Sequence, residues 1–304
     1  MSTAASVPET YELEGDDALR TLRLTGWGRL LKDSFRRFRA ADGFSHARAL
    51  AFQVTLTVLP AMIAAVGFAT AFELSGYRRL LTETVDRLAP GPAGQIITEA
   101  IRQGARSAAA GATTALVLGA LAALASATLA MGQIERGANR IYGVERDRPT
   151  LRKYGVGFLL ACSAGILVVL ALVLIIAGAD IARATGLSGE LDGLWTVLRW
   201  PLSILLVIVA FALLFRASPR RHQPSPSWLA VGSAVSVVLW LVFTGLLALY
   251  LSAASGTFGQ TYGPLTGLIA LLVWAFLTSL AIFLGLAFAA QLEAVRAGAP
   301  EPVT

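Results

Sequence analysis

In a chain of 304 residues, 56% apolar and only 14% charged, there is too little polar surface to cover a soluble core, since soluble domains carry about 25% charged residues. The single cysteine, Cys162, excludes an intrachain disulfide, and with only Lys32 and Lys153 as lysines no Gly-x-x-x-x-Gly-Lys phosphate loop exists. The formal charge of +6 suits a protein whose loops sit against anionic lipid.

Residues 1–16 are acidic and poor in apolar side chains, the composition of a disordered tail. Across 17–47, Leu22, Trp27, Leu30, Leu31, Phe35 and Phe38 recur at spacings of three to five among basic residues. That pattern predicts an amphipathic helix, either lying in the membrane interface or packed on the end of a bundle. A membrane domain is predicted over 48–293, with a short tail at 294–304.

Six runs in that domain are free of Asp, Glu, Lys and Arg: Ala49–Phe72, Gly111–Ile134, Tyr154–Ala179, Trp200–Phe215, Trp228–Leu251 and Leu265–Leu292. All but the fourth exceed the roughly 20 residues needed to cross about 30 Å of hydrocarbon. The runs are continuous and rich in Leu and Ala rather than alternating, which selects helices over a barrel. The predicted fold is therefore an all-α, polytopic bundle of six transmembrane helices. The longest connection, 73–110, is interrupted by Pro90, Gly91, Pro92 and Gly94, and apolar residues on both sides predict a small external cap of two short helices. Of the basic residues, 18 fall on the side of the termini and 7 on the other, so the positive-inside rule places both termini in the cytoplasm.

Candidate functional residues are few. Gln53 and Pro60 lie inside the first run. Gln53 needs a hydrogen-bond partner within the bundle, and Pro60 frees a carbonyl and kinks the helix. Interhelical packing competes there with a substrate-lining or gating role. The densest basic loop holds Arg136, Asn139, Arg140, Tyr142, Arg146, Arg148 and Arg152. It reads either as a topology determinant or as a site for anionic headgroups, which forked guanidinium donors suit. Arg220 is taken as a topology charge only. At the last run, Tyr262, Gly263, Gly267 and Gly285 form a turn and a small-residue face, read as packing or gating positions.

His46 and His222 have no partners at ligand spacing, so no metal, cofactor or catalytic group is expected. No run contains an ionisable residue, and the nearest are Asp180 and Glu293. Ion coupling through a buried carboxylate is accordingly disfavoured.

Three segments carry a family resemblance: Arg48-Ala49-Leu50-Ala51-Phe52 followed by Leu59-Pro60; Asn139-Arg140-Ile141-Tyr142-Gly143-Val144; and Tyr262-Gly263-Pro264-Leu265 with Trp274 and Leu284-Gly285. In this order they resemble the YihY/BrkB family of bacterial inner-membrane proteins, formerly mislabelled ribonuclease BN. The chain departs from that pattern at Ala287 and Ala289, where relatives often carry an acidic residue and an Asn. The resemblance implies a six-span fold in the bacterial inner membrane and a role in the cell envelope.

The favoured expectation is a passive or partner-driven transporter, or translocation helper, for a lipid or amphiphile. Its partners would be membrane lipids, preferentially those with anionic headgroups at the cytoplasmic face, with a membrane-protein partner or a second copy as further candidates. The alternative is a non-transporting scaffold. A ribonuclease is rejected, together with nucleic-acid binding, because the predicted cytoplasmic segments offer Arg without acid–base or metal-binding groups.

Overall fold

The computed structural model describes residues 3–10, 12–71, 92–184, 190–253 and 265–303, and all regular secondary structure among them is helical. Two short helices, α1 (Gly15–Thr25) and α2 (Trp27–Ala40), precede α3 (Gly43–Ala71), α4 (Pro92–Ile141), α5 (Thr150–Ala184), α6 (Glu190–Ala217), α7 (Pro226–Ala253) and α8 (Thr266–Arg296). The last six helices each contain a stretch long and apolar enough to cross a membrane. The fourth of these runs on past Arg199 to Gly193, so it is longer than its charge-free stretch.

The single amphipathic helix expected over 17–47 is two helices. Gly26 separates them with φ 83°, and its N–H closes the end of α1 on the Leu22 carbonyl at 2.9 Å, the left-handed stop that glycine adopts without penalty. In α2, Leu30, Ser34, Arg37 and Phe38 are buried, a stripe at helical spacing. A second stripe, Trp27, Leu31 and Phe35, stays exposed. Hence α2 packs on the bundle and also shows an apolar face outward.

Residues 3–10, assigned to a disordered tail, instead run extended over the bundle. The Ala4 and Val7 amides donate to the carbonyls of Arg140 and Tyr142 at 3.1 Å each, and both side chains are buried. Ala5 N–H donates to Pro302 O at 3.1 Å. Both ends of the chain therefore meet at one end of the molecule, called the basal end below. A tail poor in apolar residues orders here because two small apolar side chains are buried and the Ala4, Ala5 and Val7 amides find carbonyl partners. Beneath it, Gly143 has φ 77°, and a Cβ there would stand 2.5 Å from Ser6 Cα.

The central helix is α8, half buried over its most apolar stretch where the other spans are 22–28% buried. It touches α2, α3, α4 and α7, and successive spans pack on one another from α3 round to α8. Close approaches use small residues: a Cβ on Gly285 would lie 2.6 Å from Gly232 O in α7, and one on Gly119 2.7 Å from Ala64 N in α3. Small residues let helix backbones approach where burial of apolar surface offers little driving force. Helix α4 begins at Pro92, so the expected second cap helix is its first segment, set off by non-helical backbone at Gly111. The first cap helix falls in 72–91, outside the described residues.

Candidate functional site

The basal end gathers buried charge around the ends of α4 and α8. Glu135 is buried and accepts from the Arg148 backbone N–H at 3.0 Å and from Arg148 Nη1 at 2.9 Å. The rest of the Arg148 fork closes the end of α6, donating to the carbonyls of Ala217, Ser218 and Pro219 at 3.1, 2.6 and 2.8 Å. These are last-turn and following carbonyls that a helix cannot satisfy itself. Glu293, fully buried in α8, pairs with Arg221 at 2.9 Å, with side-chain exposures of 0% and 3%. Thr10 Oγ1 adds a 2.6 Å hydrogen bond to the same carboxylate.

Two carboxylates thus sit inside span helices, each matched to an arginine from a loop. The charge-free runs themselves hold none, and Glu135 and Glu293 each stand one residue past the end of a run. The charge-free runs end at Ile134 and Leu292, but the helices continue by several residues. The partners come from distant loops, and pairing lowers the cost of burial.

Arg37 completes this end. It is fully buried on α2 and donates to Gln291 Oε1 at 2.8 Å, Ala5 O at 2.7 Å and Ile141 O at 3.1 Å. Burial lowers its pKa to about 10, which leaves it charged at neutral pH. The Arg221 guanidinium stacks 4.7 Å from the Tyr142 ring centroid. Burial, with the Glu293 charge second, pushes the Tyr142 phenol well above its ordinary range. Its hydroxyl sits beside the Gln223 amide without the alignment of a hydrogen bond.

The predicted headgroup residues divide sharply. Asn139 is buried, donating to Asp147 Oδ1 at 2.9 Å and accepting from the Arg220 backbone N–H at 2.7 Å. Arg220, taken as a topology charge, also donates to Asp147 O at 3.0 Å. Arg140 is buried against the carbonyls of Val144 and Glu145. Arg136 lies 3.6 Å from Asp147, which Lys153 approaches at 2.9 Å. Burial alone would raise the Asp147 pKa, but the Asn139 and Lys153 hydrogen bonds outweigh it and hold the group below its usual value. Arg146 and Arg152 are exposed. The loop therefore spends Asn139, Arg140, Tyr142 and Arg148 on its own architecture and leaves Arg146 and Arg152 facing outward.

Sequence reasoning passed over Glu135, Arg37, Arg221 and Gln291 as site residues, and named Glu293 only as the ionisable residue nearest the last run. One signal was available for Arg37, which falls on the same helical stripe as Leu30, Ser34 and Phe38. A basic residue on an apolar stripe marks a buried, partnered cation.

At the distal half of the bundle, Pro60 and Ile63 of α3 face Gly111, Thr114, Leu118 and Ala122 of α4 across a groove of about 390 Å³. Seventeen residues separate Pro60 from the basal start of α3 at Gly43, about 25 Å along a helix. The expected proline, lacking its N–H, is joined here by a break in the facing helix at Gly111 that the sequence reading did not single out. Among the described residues, Thr114 is the one with a polar side chain in this lining. Gln53, two turns nearer the basal end, keeps its side-chain oxygen buried and unpaired. Gly267 is buried in the first turn of α8 and Gly285 is a packing contact against α7, while Tyr262 and Gly263 lie outside the described residues. Among the described residues, no group of three or more His, Cys, Asp or Glu side chains converges in metal-binding fashion.

Comparisons with known proteins match this architecture to membrane proteins. The family model described as Virulence factor BrkB matches residues 34–303. The ribonuclease-like protein YfkH of Bacillus subtilis (strain 168) is 27% identical over 263 residues, which is 84% of this chain and 92% of that protein. A UPF0761 membrane protein of Chromobacterium violaceum is 27% identical over 91% of this chain, and UPF0761 membrane protein Mpe_A1422 of Methylibium petroleiphilum 28% identical over 89%. The chain spans only 64% of the length of those two relatives. No solved structure matches.

Proposed function

From the premise that this chain belongs to the BrkB family of integral membrane proteins, we propose that it eases the passage of a lipid or amphiphile across the bacterial inner membrane, with both termini cytoplasmic. The carrying observation is the groove at Pro60 and Gly111. Its size falls within the range of small-ligand sites, and its lining suits a hydrocarbon chain better than an ion. Leu118, exposed on its rim, would leave the groove in reach of lipid. Movement is passive or driven by a partner, because Glu135 and Glu293 are held in ion pairs and the sequence has no nucleotide-binding loop. In this reading the protein is not an enzyme, and the ribonuclease-like name of one relative does not transfer to it.

Proteoliposomes carrying a headgroup-fluorescent phospholipid test the proposal through an impermeant quencher, which reaches inner-leaflet label only if lipid crosses. Wild-type protein should raise the quenched fraction above half. Ala122→Trp, which fills the groove, should return it toward protein-free vesicles. Passage unaffected by Ala122→Trp would remove the groove from the account, and no passage at all would favour a scaffold. Single cysteines at 225 and 255 in a Cys162→Ser background check orientation, since an impermeant thiol reagent on intact cells should label 255 and spare 225.

A further inference from the structure

We propose that Arg37 and Arg221 form a binding site for a phosphate-type anion, covered here by residues 3–10. The site goes beyond the lipid pathway, because it asks only for an anion at the basal end.

Charge is the first ground. Arg37, Arg221 and Glu293 are buried within one cluster, and two guanidinium groups against one carboxylate leave a positive charge in excess. Buried charges are ordinarily matched, since an unmatched one is costly. Unused donors are the second. Arg37 Nη2, Arg221 Nε, the Tyr142 hydroxyl and the Gln223 amide nitrogen are buried without a hydrogen-bond partner, with the Gln223 amide oxygen unpaired beside them. Native proteins leave few such groups unpaired, and here four belong to side chains of the same cluster.

The covering segment supplies the third ground. Ala5 O accepts from Arg37 Nη1 at 2.7 Å, and Pro8 O accepts from Arg221 Nη2 at 3.0 Å. Neutral carbonyls thus occupy positions on both guanidinium forks that a phosphate oxygen could take. Hydrogen bonds between ionised partners are roughly twice as strong as neutral ones, and the planar fork matches two phosphate oxygens at once. Residues 3–10 hold their place through the buried side chains of Ala4 and Val7, a few backbone hydrogen bonds, the Thr10 hydroxyl donating to Glu293 and the His222 N–H donating to the Glu9 carboxylate. An anion therefore has something to gain by displacing this segment.

The test uses the full chain with Cys162→Ser and a nitroxide at Ser6→Cys, in detergent micelles. Inorganic phosphate is titrated against chloride at matched ionic strength, and vesicles containing phosphatidic acid form a second arm. Label mobility should rise and saturate with phosphate. Arg37→Lys, which keeps the charge and loses the fork, should weaken half-saturation about tenfold, while Arg20→Gln, an exposed charge, should leave it within about twofold. A response to phosphatidic acid alone would assign the site to a lipid headgroup, and a response to both arms would assign it to phosphate in general. Flat titrations in both arms, or equal weakening by Arg20→Gln and Arg37→Lys, would overturn the proposal.

Discussion

At the basal end, Glu135, Glu293, Arg148, Arg221 and Arg37 are tied together by ion pairs and by hydrogen bonds to backbone carbonyls. In the distal half, α3 and α4 meet at a groove whose lining, among the described residues, is apolar except for Thr114. The first region gets its geometry from directional, charge-assisted contacts, which fix loops and helix ends in one arrangement. Shape alone provides it in the second, through small residues, a proline and a helix break. Lipid offers apolar side chains an equivalent environment, so a groove there costs little and can exchange occupants. A bundle locked at one end and adaptable at the other is what the proposed passage of lipid requires.

The largest effect should come from unlocking the basal end. Glu293→Ala leaves Arg221 buried and unpaired and should lower stability by about 3–5 kcal/mol, read as loss of thermal stability in detergent. Pairing it with Arg221→Met should recover part of that loss, because the stranded charge goes too. Gly285→Leu should follow. Its side chain would collide with Ser236 and with the Gly232 carbonyl, and overpacking costs about 1–3 kcal/mol or more. The same assay, with loss of the folded gel-filtration peak, reports it.

A finer comparison lies within one loop. Arg148→Gln should cost about 1–3 kcal/mol, since it releases three carbonyls and Glu135, whereas Arg146→Gln should change stability by no more than about 0.5 kcal/mol. Similar losses from both would mean that the network does not hold the basal end. In the distal half, Ala122→Trp should likewise leave stability within about 0.5 kcal/mol while blocking lipid passage.

Acid gives the smallest expected effect. The folded pKa of Asp147 is depressed, so it contributes stability above its unfolded value, about 3.9 for Asp, and loses it as pH falls through the folded value. Hydrogen exchange in 142–149 should therefore rise only below about pH 4, and Asp147→Asn should abolish that dependence.

How much of this was legible in the sequence follows from the range of each signal. Charge-free runs report spans directly, so all six appear near their predicted positions. Pro60 is a local signal too, while the break at Gly111 that it faces across the groove was not read from the sequence. The basal network escaped because its pairs join residues far apart in the chain: Arg37 to Gln291, Arg221 to Glu293, Arg148 to Ser218. No periodicity carries such pairings. Reading Arg140 and Arg148 as topology charges or headgroup ligands, and Arg220 as a topology charge only, captured their sign and missed their partners. The N-terminal tail was misjudged for the same reason, since its order comes from carbonyls about 140 residues downstream.

The contrast between the two regions is tested most directly by mapping where lipid chains touch the protein. A phospholipid with a photoactivatable group on its acyl chain, incorporated with the protein into nanodiscs, marks contact residues for peptide mass spectrometry. Adducts should concentrate on Pro60–Ile63 and Thr114–Ala122, fall sharply there in Ala122→Trp, and be absent from 139–148. Labelling of the groove no denser than that of exposed span residues such as Leu159 and Leu205, and unchanged by Ala122→Trp, would contradict the account.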